Sequence, residues 1–357
     1  MRSQQENLLE KLIRISSPSG FEEEIASCIE RELLQYLPRN DVYIDGQKNV
    51  VAVIQGSSDE VVMLDAHNDQ IGFIVSNIGK DGLISLQAIG GQDSSIMSAR
   101  DLVILTDSGK VNAVVDRKPT HLVDDEANEN INVISEAEVD VGIRKRKKVQ
   151  SIVKIGDPVV YKSAYNKLCE DYRSGYGFDD RVGCFILIEV IKLLSKLKKK
   201  LYPTLVFTFS SQEETSGKKC RPLIKKYNPS LFMEVDVTFA TDYGLDDEME
   251  KMVGLCQLGN GVVIYRGVDI CRDGADALSQ VAKTNKIKVQ YQAVAESIGY
   301  TATEVTHEGN GIKALILGIP LRNMHTPVEI VSLKDLTCGI QLLVKFLTGK
   351  KIVDLLD

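Results

Sequence analysis

The run TLVFTFS at 204–210 and the run KALILGI at 313–319 are apolar at nearly every position. A strand with one face in water alternates between apolar and polar residues, so a continuous β-branched and aromatic run marks a strand covered on both faces. NVVAVIQG at 49–56 and EVVMLDA at 60–66 read as further strands. Helical patterns lie between them. Leu8, Leu9, Leu12 and Ile13 mark one face of an amphipathic helix. A second helix is expected from Ser19 or Gly20, with Glu22 to Glu24 in its first turn. VGCFILIEVIKLLSKLKKK at 182–200 is an apolar helix whose closing lysines suit the negative end of the helix dipole. Helices alternating with buried strands define an α/β fold with a mostly parallel central sheet covered by helices.

Between 71 and 163 the pattern changes. GFIVSN, LISLQAI, DLVILT, KVNAVV, SIVKI and PVVYK are short segments separated by turns such as GKDG and DSGK, with no long helical period. They predict a small β-rich domain at 71–163. It interrupts an α/β domain made of residues 1–70 and 164–357.

Composition narrows the class. Of 357 residues, 43% are hydrophobic and 26% charged, the balance of a globular domain. The net charge of −7 argues against a nucleic-acid footprint, and RKRKK at 144–148 reads as a solvated strand end or loop. Seven cysteines, an odd and scattered set, argue for a reducing compartment and against a disulfide framework or zinc ribbon. The amino terminus lacks a signal-peptide pattern, and no stretch nears the roughly 20 apolar residues of a membrane span. The expectation is a cytoplasmic protein without membrane or nucleic-acid partners.

Polar residues cluster where strands end. Asp65, His67 and Asp69 follow one apolar run. Asp179, Asp180 and Arg181 precede the apolar helix. Glu213 and Glu214 follow TLVFTFS directly, and Asp236 lies inside the β run LFMEVDVTF, with Asp242 beyond it. Arg322 and His325 precede TPVE, a pattern that caps a helix well. Singly, each stretch reads as an ordinary turn or surface charge. Their shared position matters more, because open α/β sheets bind ligands beyond the carboxyl ends of their strands. So many carboxylates repel one another and resist burial unless cations offset them. Two imidazoles with carboxylates suit zinc, cobalt or manganese. One carboxylate can bridge two ions, and of two adjacent glutamates one can bind while the other moves protons. His121, His307 and the glycine-rich stretches GGQD and GNG read as structural, and no G-x-S-x-G nucleophile elbow is present.

With these residues placed, the chain resembles the M42 metallo-aminopeptidases, the glutamyl-aminopeptidase and tetrahedral-aminopeptidase group. The resemblance runs from SPSGFEEEI through AHNDQIGFIV, LQAIGGQD, KPTHL, FDDRVG, QEETSG and VDVTFATD to RNMHTPVE. It implies the di-metal peptidase fold, with an inserted PDZ-like domain that serves oligomer assembly. It also implies two divalent ions per subunit. His67 and Asp236 would hold one, Glu214 and His325 the other, and Asp179 would bridge them, with an unusual peptide bond joining it to Asp180. Asp69 would orient His67, and Glu213 would be the general base for attack by metal-bound hydroxide. The substrates would be short peptides losing their N-terminal residue inside a dodecamer. The chain departs from the family pattern at Gln70, at Asn323 and at Ala302, which stands in place of an Asp. A related amidohydrolase or deacylase, or a homologue that keeps the fold and metals with reduced activity, stays open beside the aminopeptidase.

Overall fold

A computed structural model describes residues 3–117, 121, 134–198, 200–217, 220–244, 247–295, 301–306 and 311–356. Strands β1 (Val42–Ile44), β2 (Val50–Ile54) and β3 (Val61–His67) open the sheet. The chain then forms β4 (Gly72–Ile78), β5 (Ile84–Ile89), β6 (Asp101–Thr106), β7 (Gly109–Val115), β8 (Glu138–Asp140) and β9 (Pro158–Tyr161). After β10 (Tyr165–Lys167) and β11 (Tyr172–Gly175) come β12 (Thr204–Ser210), β13 (Leu231–Phe239), β14 (Val262–Gly267), β15 (Val289–Val294), β16 (Lys313–Leu321) and β17 (Glu329–Ser332).

The main sheet has eight strands in the order β1-β2-β12-β3-β13-β16-β14-β15. Its centre, β12-β3-β13-β16, is parallel, as the continuous apolar runs predict. The whole sheet is mixed, with four of its seven strand pairings parallel, β14–β15 included. β1 and β2 are joined by a short turn and so pair antiparallel, β2 is antiparallel to β12, and β14 is antiparallel to β16. Helix Phe178–Leu194, buried almost all round, packs on β3 and β13 and against helices Ser3–Ile13 and Leu333–Thr348. It contributes to one large core with Phe207, Phe209 and Phe232, all fully buried, and each such ring stabilises the fold by about 2–3 kcal/mol.

Strands β4 to β9 close into a barrel in the order β4-β5-β8-β7-β6-β9. The barrel has its own apolar cluster, running from Ile71 to Tyr161 and reaching Tyr176 of the sheet domain. Tyr161 packs edge-on against Phe73 at 5.3 Å and against Tyr176 at 5.5 Å. The Tyr176 hydroxyl donates to the Ile71 carbonyl, which pins the barrel to the segment entering helix Phe178–Leu194.

Some local expectations give way. The second helix spans Glu23–Leu33, so Glu22 precedes it. SIVKI is no strand: it follows a one-turn helix Arg146–Val149, and Val149 and Val153 are buried together at helical spacing. The RKRKK cations are exposed, as expected, but part of the run lies in that turn of helix. No helix begins at Thr326. Residues 323–328 form turns, β17 follows, and the helix starts at Leu333 with Ser332 accepting from Lys334 N. Glu329 is instead a buried strand residue whose carboxylate accepts from Phe178 N at 2.7 Å and His325 N at 3.1 Å. Among the described residues no helix is long and apolar enough to cross a membrane.

Candidate metal centre

The site grows from strand register. β12 pairs with β3 so that Ser210 stands opposite His67, and β13 pairs with β3 so that Glu234 stands opposite Asp65. Successive side chains alternate faces, so Asp65 and His67 share a face, as do Glu234 and Asp236. The parallel register therefore brings Asp236 to the level of His67. Their closest atoms, Asp236 Oδ1 and His67 Nε2, are 3.8 Å apart.

Irregular backbone supplies the rest. Gly177, at φ +82°, turns the chain into helix Phe178–Leu194. The Asp179–Asp180 peptide bond is cis, and neither residue has helical torsions. Asp179 faces two imidazoles: Oδ1 lies 3.0 Å from His67 Nε2, and Oδ2 lies 3.2 Å from His325 Nε2. Gln212, at φ +54°, ends β12 and opens a single helical turn, Glu213–Ser216. Glu214 Oε2 lies 3.3 Å from His325 Nε2, and Glu213 Oε2 lies 4.0 Å from His67 Nε2. Asp69, fully buried, stands behind both elements. Its Oδ1 is 3.4 Å from His67 Nδ1 and accepts from Glu213 N at 3.0 Å, while Oδ2 accepts from Glu214 N at 3.2 Å. All seven residues singled out in the sequence thus meet in one place.

Two groupings have donor atoms close enough to share an ion. One is His67, Asp179 and Glu214; the other is His67, Asp180 and Asp236. Asp180 is the addition. Sequence reasoning noted it as a neighbour of Asp179 without a ligand role. It is fully buried, one oxygen accepts from Gly183 N at 2.9 Å, and the other has no partner.

The charge state fits bound cations. Burial, with Asp236 and Glu214 nearby, pushes the Glu213 carboxyl up to about 9. Burial likewise raises Asp236 to about 7. Burial opposes the charge on His325, yet hydrogen bonds to Asp179 and Glu214 raise it to about 11. Burial also opposes charge on Asp179, but His325 and His67 hold its carboxyl well below the usual range. Without metal, protons on the imidazoles stand where cations would. Asp180 Oδ2 and Glu214 Oε1 are buried without a hydrogen-bond partner, while His67 Nδ1 faces Asp69 Oδ1 across 3.4 Å. Orphaned carboxyl oxygens beside two imidazoles are the donor set that zinc-type ions take.

The inserted barrel forms part of the wall. A Cβ on Gly91 would lie 3.1 Å from His325 Nδ1, and one on Gly90 would lie 3.4 Å from Glu214 Cβ. The GGQD stretch therefore does more than turn the chain, since a side chain at Gly91 would make the His325 ring give by a few tenths of an ångström. The double glycine was the available signal. Asp242 supports the site from outside through paired hydrogen bonds of 2.8 Å from Arg322, beside the turn that carries His325. His121 is exposed, and His307 lies outside the described residues.

A sheet of this topology with imidazoles and carboxylates gathered at its strand ends defines a candidate metal-binding centre. The family model for M42 glutamyl aminopeptidases matches residues 48–342, and the chain belongs to that family of peptide hydrolases. The lysyl aminopeptidase of Pyrococcus furiosus is 27% identical over 349 residues, covering 97% of this chain and 98% of the relative. The TET1 peptidase of Pyrococcus horikoshii, which assembles into a tetrahedron or a large octahedral shell, superposes with a TM-score of 0.85 at 26% identity, covering 97% of this chain and 99% of that one. A TET aminopeptidase from a marine-sediment thaumarchaeon shares the fold, with a TM-score of 0.90 at 23% identity, over 99% of this chain and 100% of that one.

Proposed function

We propose that this protein is a di-metal aminopeptidase that removes N-terminal residues from short peptides. The observation that carries the reading is Asp179, whose two oxygens face His67 and His325 separately, the disposition a bridging carboxylate needs. His67 and Asp236 would hold one ion, Glu214 and His325 the other, with Asp179 between them. Two such ions, when bound, polarise the scissile carbonyl and lower the pKa of an attacking water. Zinc or cobalt suits these donors best, and manganese is also compatible.

The chain's own residues do the remaining work. Glu213 stands at the edge of the centre, off both ligand groupings. It takes the proton from the attacking water and delivers it to the leaving amine. Its raised pKa belongs to a centre without cations, and neighbouring positive charge draws it down toward the range a general base needs. Asp69 orients the His67 ring and holds the turn carrying Glu213. Gln70 and Asn323, where the chain departs from its family's pattern, both make scaffold hydrogen bonds, to Arg181 and to the Val328 carbonyl. Ala302 is buried, and its N–H donates to Glu234. These placements favour an altered pocket wall over a dismantled centre.

We divide the chain into the catalytic domain, 1–70 and 164–357, and the inserted domain, 71–163. Their separate apolar clusters support the division. The inserted barrel is read as the family's PDZ-like assembly domain, and the protein as a homo-oligomer, a dodecamer by resemblance. Seven unpaired cysteines support a reducing, cytoplasmic setting.

The test is hydrolysis of a panel of acidic, basic and aliphatic aminoacyl-p-nitroanilides. It is run with added cobalt or zinc, with chelator, and with Glu213→Gln. Chelator-sensitive cleavage, lost by a factor on the order of 10²–10⁴ in the variant, is the expected result. Silence of the metal-loaded protein across the whole panel overturns the reading.

A further inference from the structure

We propose that Ser19 is a positioning residue of the metal centre. Its hydroxyl fixes the Asp69 carboxylate, and through it the amino-terminal segment sets both the His67 ring and the turn that carries Glu213. This deepens the reading above and rests on it.

The side chain of Ser19 is buried, and its one hydrogen bond among the described residues runs to Asp69 Oδ2. Asp69 has no contact with bulk water, and every other partner it has belongs to the centre: the His67 ring and the N–H groups of Glu213 and Glu214. Among the described residues Ser19 is therefore the one hydrogen-bond partner of this carboxylate that lies outside the centre itself. A hydroxyl donating to an ionised, buried carboxylate is a charge-assisted bond, stronger and more directional than a neutral one. Removing it leaves Oδ2 with Glu214 N alone, at 3.2 Å. The carboxylate is then held less firmly against rotation about the axis that aims its other oxygen at His67.

The anchor works only if Ser19 is itself held, and two devices hold it. Ser19 N donates to the Gln70 carbonyl at 3.1 Å, and Pro18 makes a parallel bridge to Gln70. Arg181, fully buried, donates to the carbonyls of Leu12 at 3.1 Å and Ile15 at 3.2 Å, to Ser17 Oγ, and to Gln70 Oε1 at 3.2 Å. Arg181 lies two residues after Asp179. One guanidinium thus fastens the segment leading to Ser19 onto the same element that presents Asp179. The segment's fixation uses backbone groups, Ser17 and Arg181. The Ser19 hydroxyl takes no part in it and serves Asp69 alone.

The test compares the full-length wild type with Ser19→Ala and Ser19→Thr. Three quantities are read: zinc affinity by competition with a chromogenic chelator, the unfolding midpoint of the metal-free protein, and kcat and KM separately. Losing a group that orients a ligand typically costs about 10–100-fold in metal affinity or activity. Ser19→Ala is expected to bind at least one zinc about tenfold more weakly. Its kcat falls about tenfold with KM nearly unchanged, and its metal-free midpoint matches the wild type. Ser19→Thr, which keeps the hydroxyl, restores affinity and kcat. Wild-type zinc affinity in Ser19→Ala overturns the proposal. So does a lower metal-free midpoint matching the affinity loss, because that marks a merely structural role. If the wild type binds zinc but cleaves no substrate, the aminopeptidase reading fails, while the affinity comparison still decides the role of Ser19.

Discussion

Asp179 presents Oδ2 to His325 Nε2 at 3.2 Å while its other oxygen is turned to His67. A carboxylate that serves two imidazoles at once cannot be replaced by an amide, which offers one acceptor oxygen and a donor NH₂ group. Asp179→Asn is therefore expected to lose at least one metal equivalent and to lower turnover by a factor on the order of 10²–10⁴. Elemental analysis of the purified variant beside the wild type checks the first expectation, and the nitroanilide assay the second. A variant that keeps two equivalents and full activity would remove Asp179 from the bridging position.

Metal removal should be felt by the whole fold. Asp179, Glu213, Glu214 and Asp236 converge on two imidazoles, and the metal-free centre balances them only by taking up protons. Ions that bind the folded chain and not the unfolded one stabilise it, by about 2.7 kcal/mol for one site at a hundredfold excess over Kd. Zinc is expected to raise the unfolding midpoint at pH 7.5 by about 5 °C or more, and chelator to reverse the gain. The ions must displace protons from His67 and His325, so the gain should shrink as the pH falls toward 5. Circular dichroism melts with zinc and with chelator, at both pH values, measure this directly.

Gly91 faces His325 so closely that a methyl group there would meet the ring at 3.1 Å from Nδ1. His325 has little freedom to yield, because its backbone sits at φ +61° and its N–H is held by Glu329. Gly91→Ala should displace the ring by a few tenths of an ångström and cost about tenfold in activity, with the barrel still folded. A Gly91→Ala enzyme with wild-type kcat would show that the loop moves aside.

What the sequence made legible follows from the range of the interactions involved. Continuous runs such as TLVFTFS announce themselves because burial on both faces is a property of each residue in turn. The candidate site residues were noticeable because His67 ends a strand, and Glu213 and Glu214 fall just past one, where both strands were themselves readable. The edges of the sheet were not, since the direction in which β14 meets β16 is decided by neighbours far away in the chain. His325 shows the same limit. TPVE has the composition of a helix start, yet Glu329 sends its carboxylate to Phe178 N, 151 residues away, and the chain extends as β17 instead. Gly91 and Ser19 stayed hidden for a related reason. A double glycine or a serine in a turn-like stretch can signal a close approach without naming the group approached, and only the folded arrangement puts His325 beside one and Asp69 beside the other.

Glu6 gives a prediction away from the centre. Its carboxylate joins the first helix to the small sheet, accepting from Arg173 Nε at 2.8 Å, with Lys167 Nζ at 3.2 Å. The hydrogen bond from Arg173, aided by Lys167, lowers its pKa to about 2 from an ordinary 4.5. Between those values the unfolded chain binds the proton and the folded chain does not, so acid favours unfolding. The stabilisation is fully present above about pH 4.5 and is lost as the pH falls toward 2. The Arg173 side is well covered, but Lys167 is 65% exposed and its share is screened by solvent, which leaves about 1–2 kcal/mol at neutral pH. Glu6→Gln should therefore unfold at lower urea than the wild type at pH 7, with the gap closing as the pH approaches 3. Urea titrations of both proteins at the two pH values check it, and a gap undiminished at pH 3 would assign the loss to packing of the helix rather than to charge.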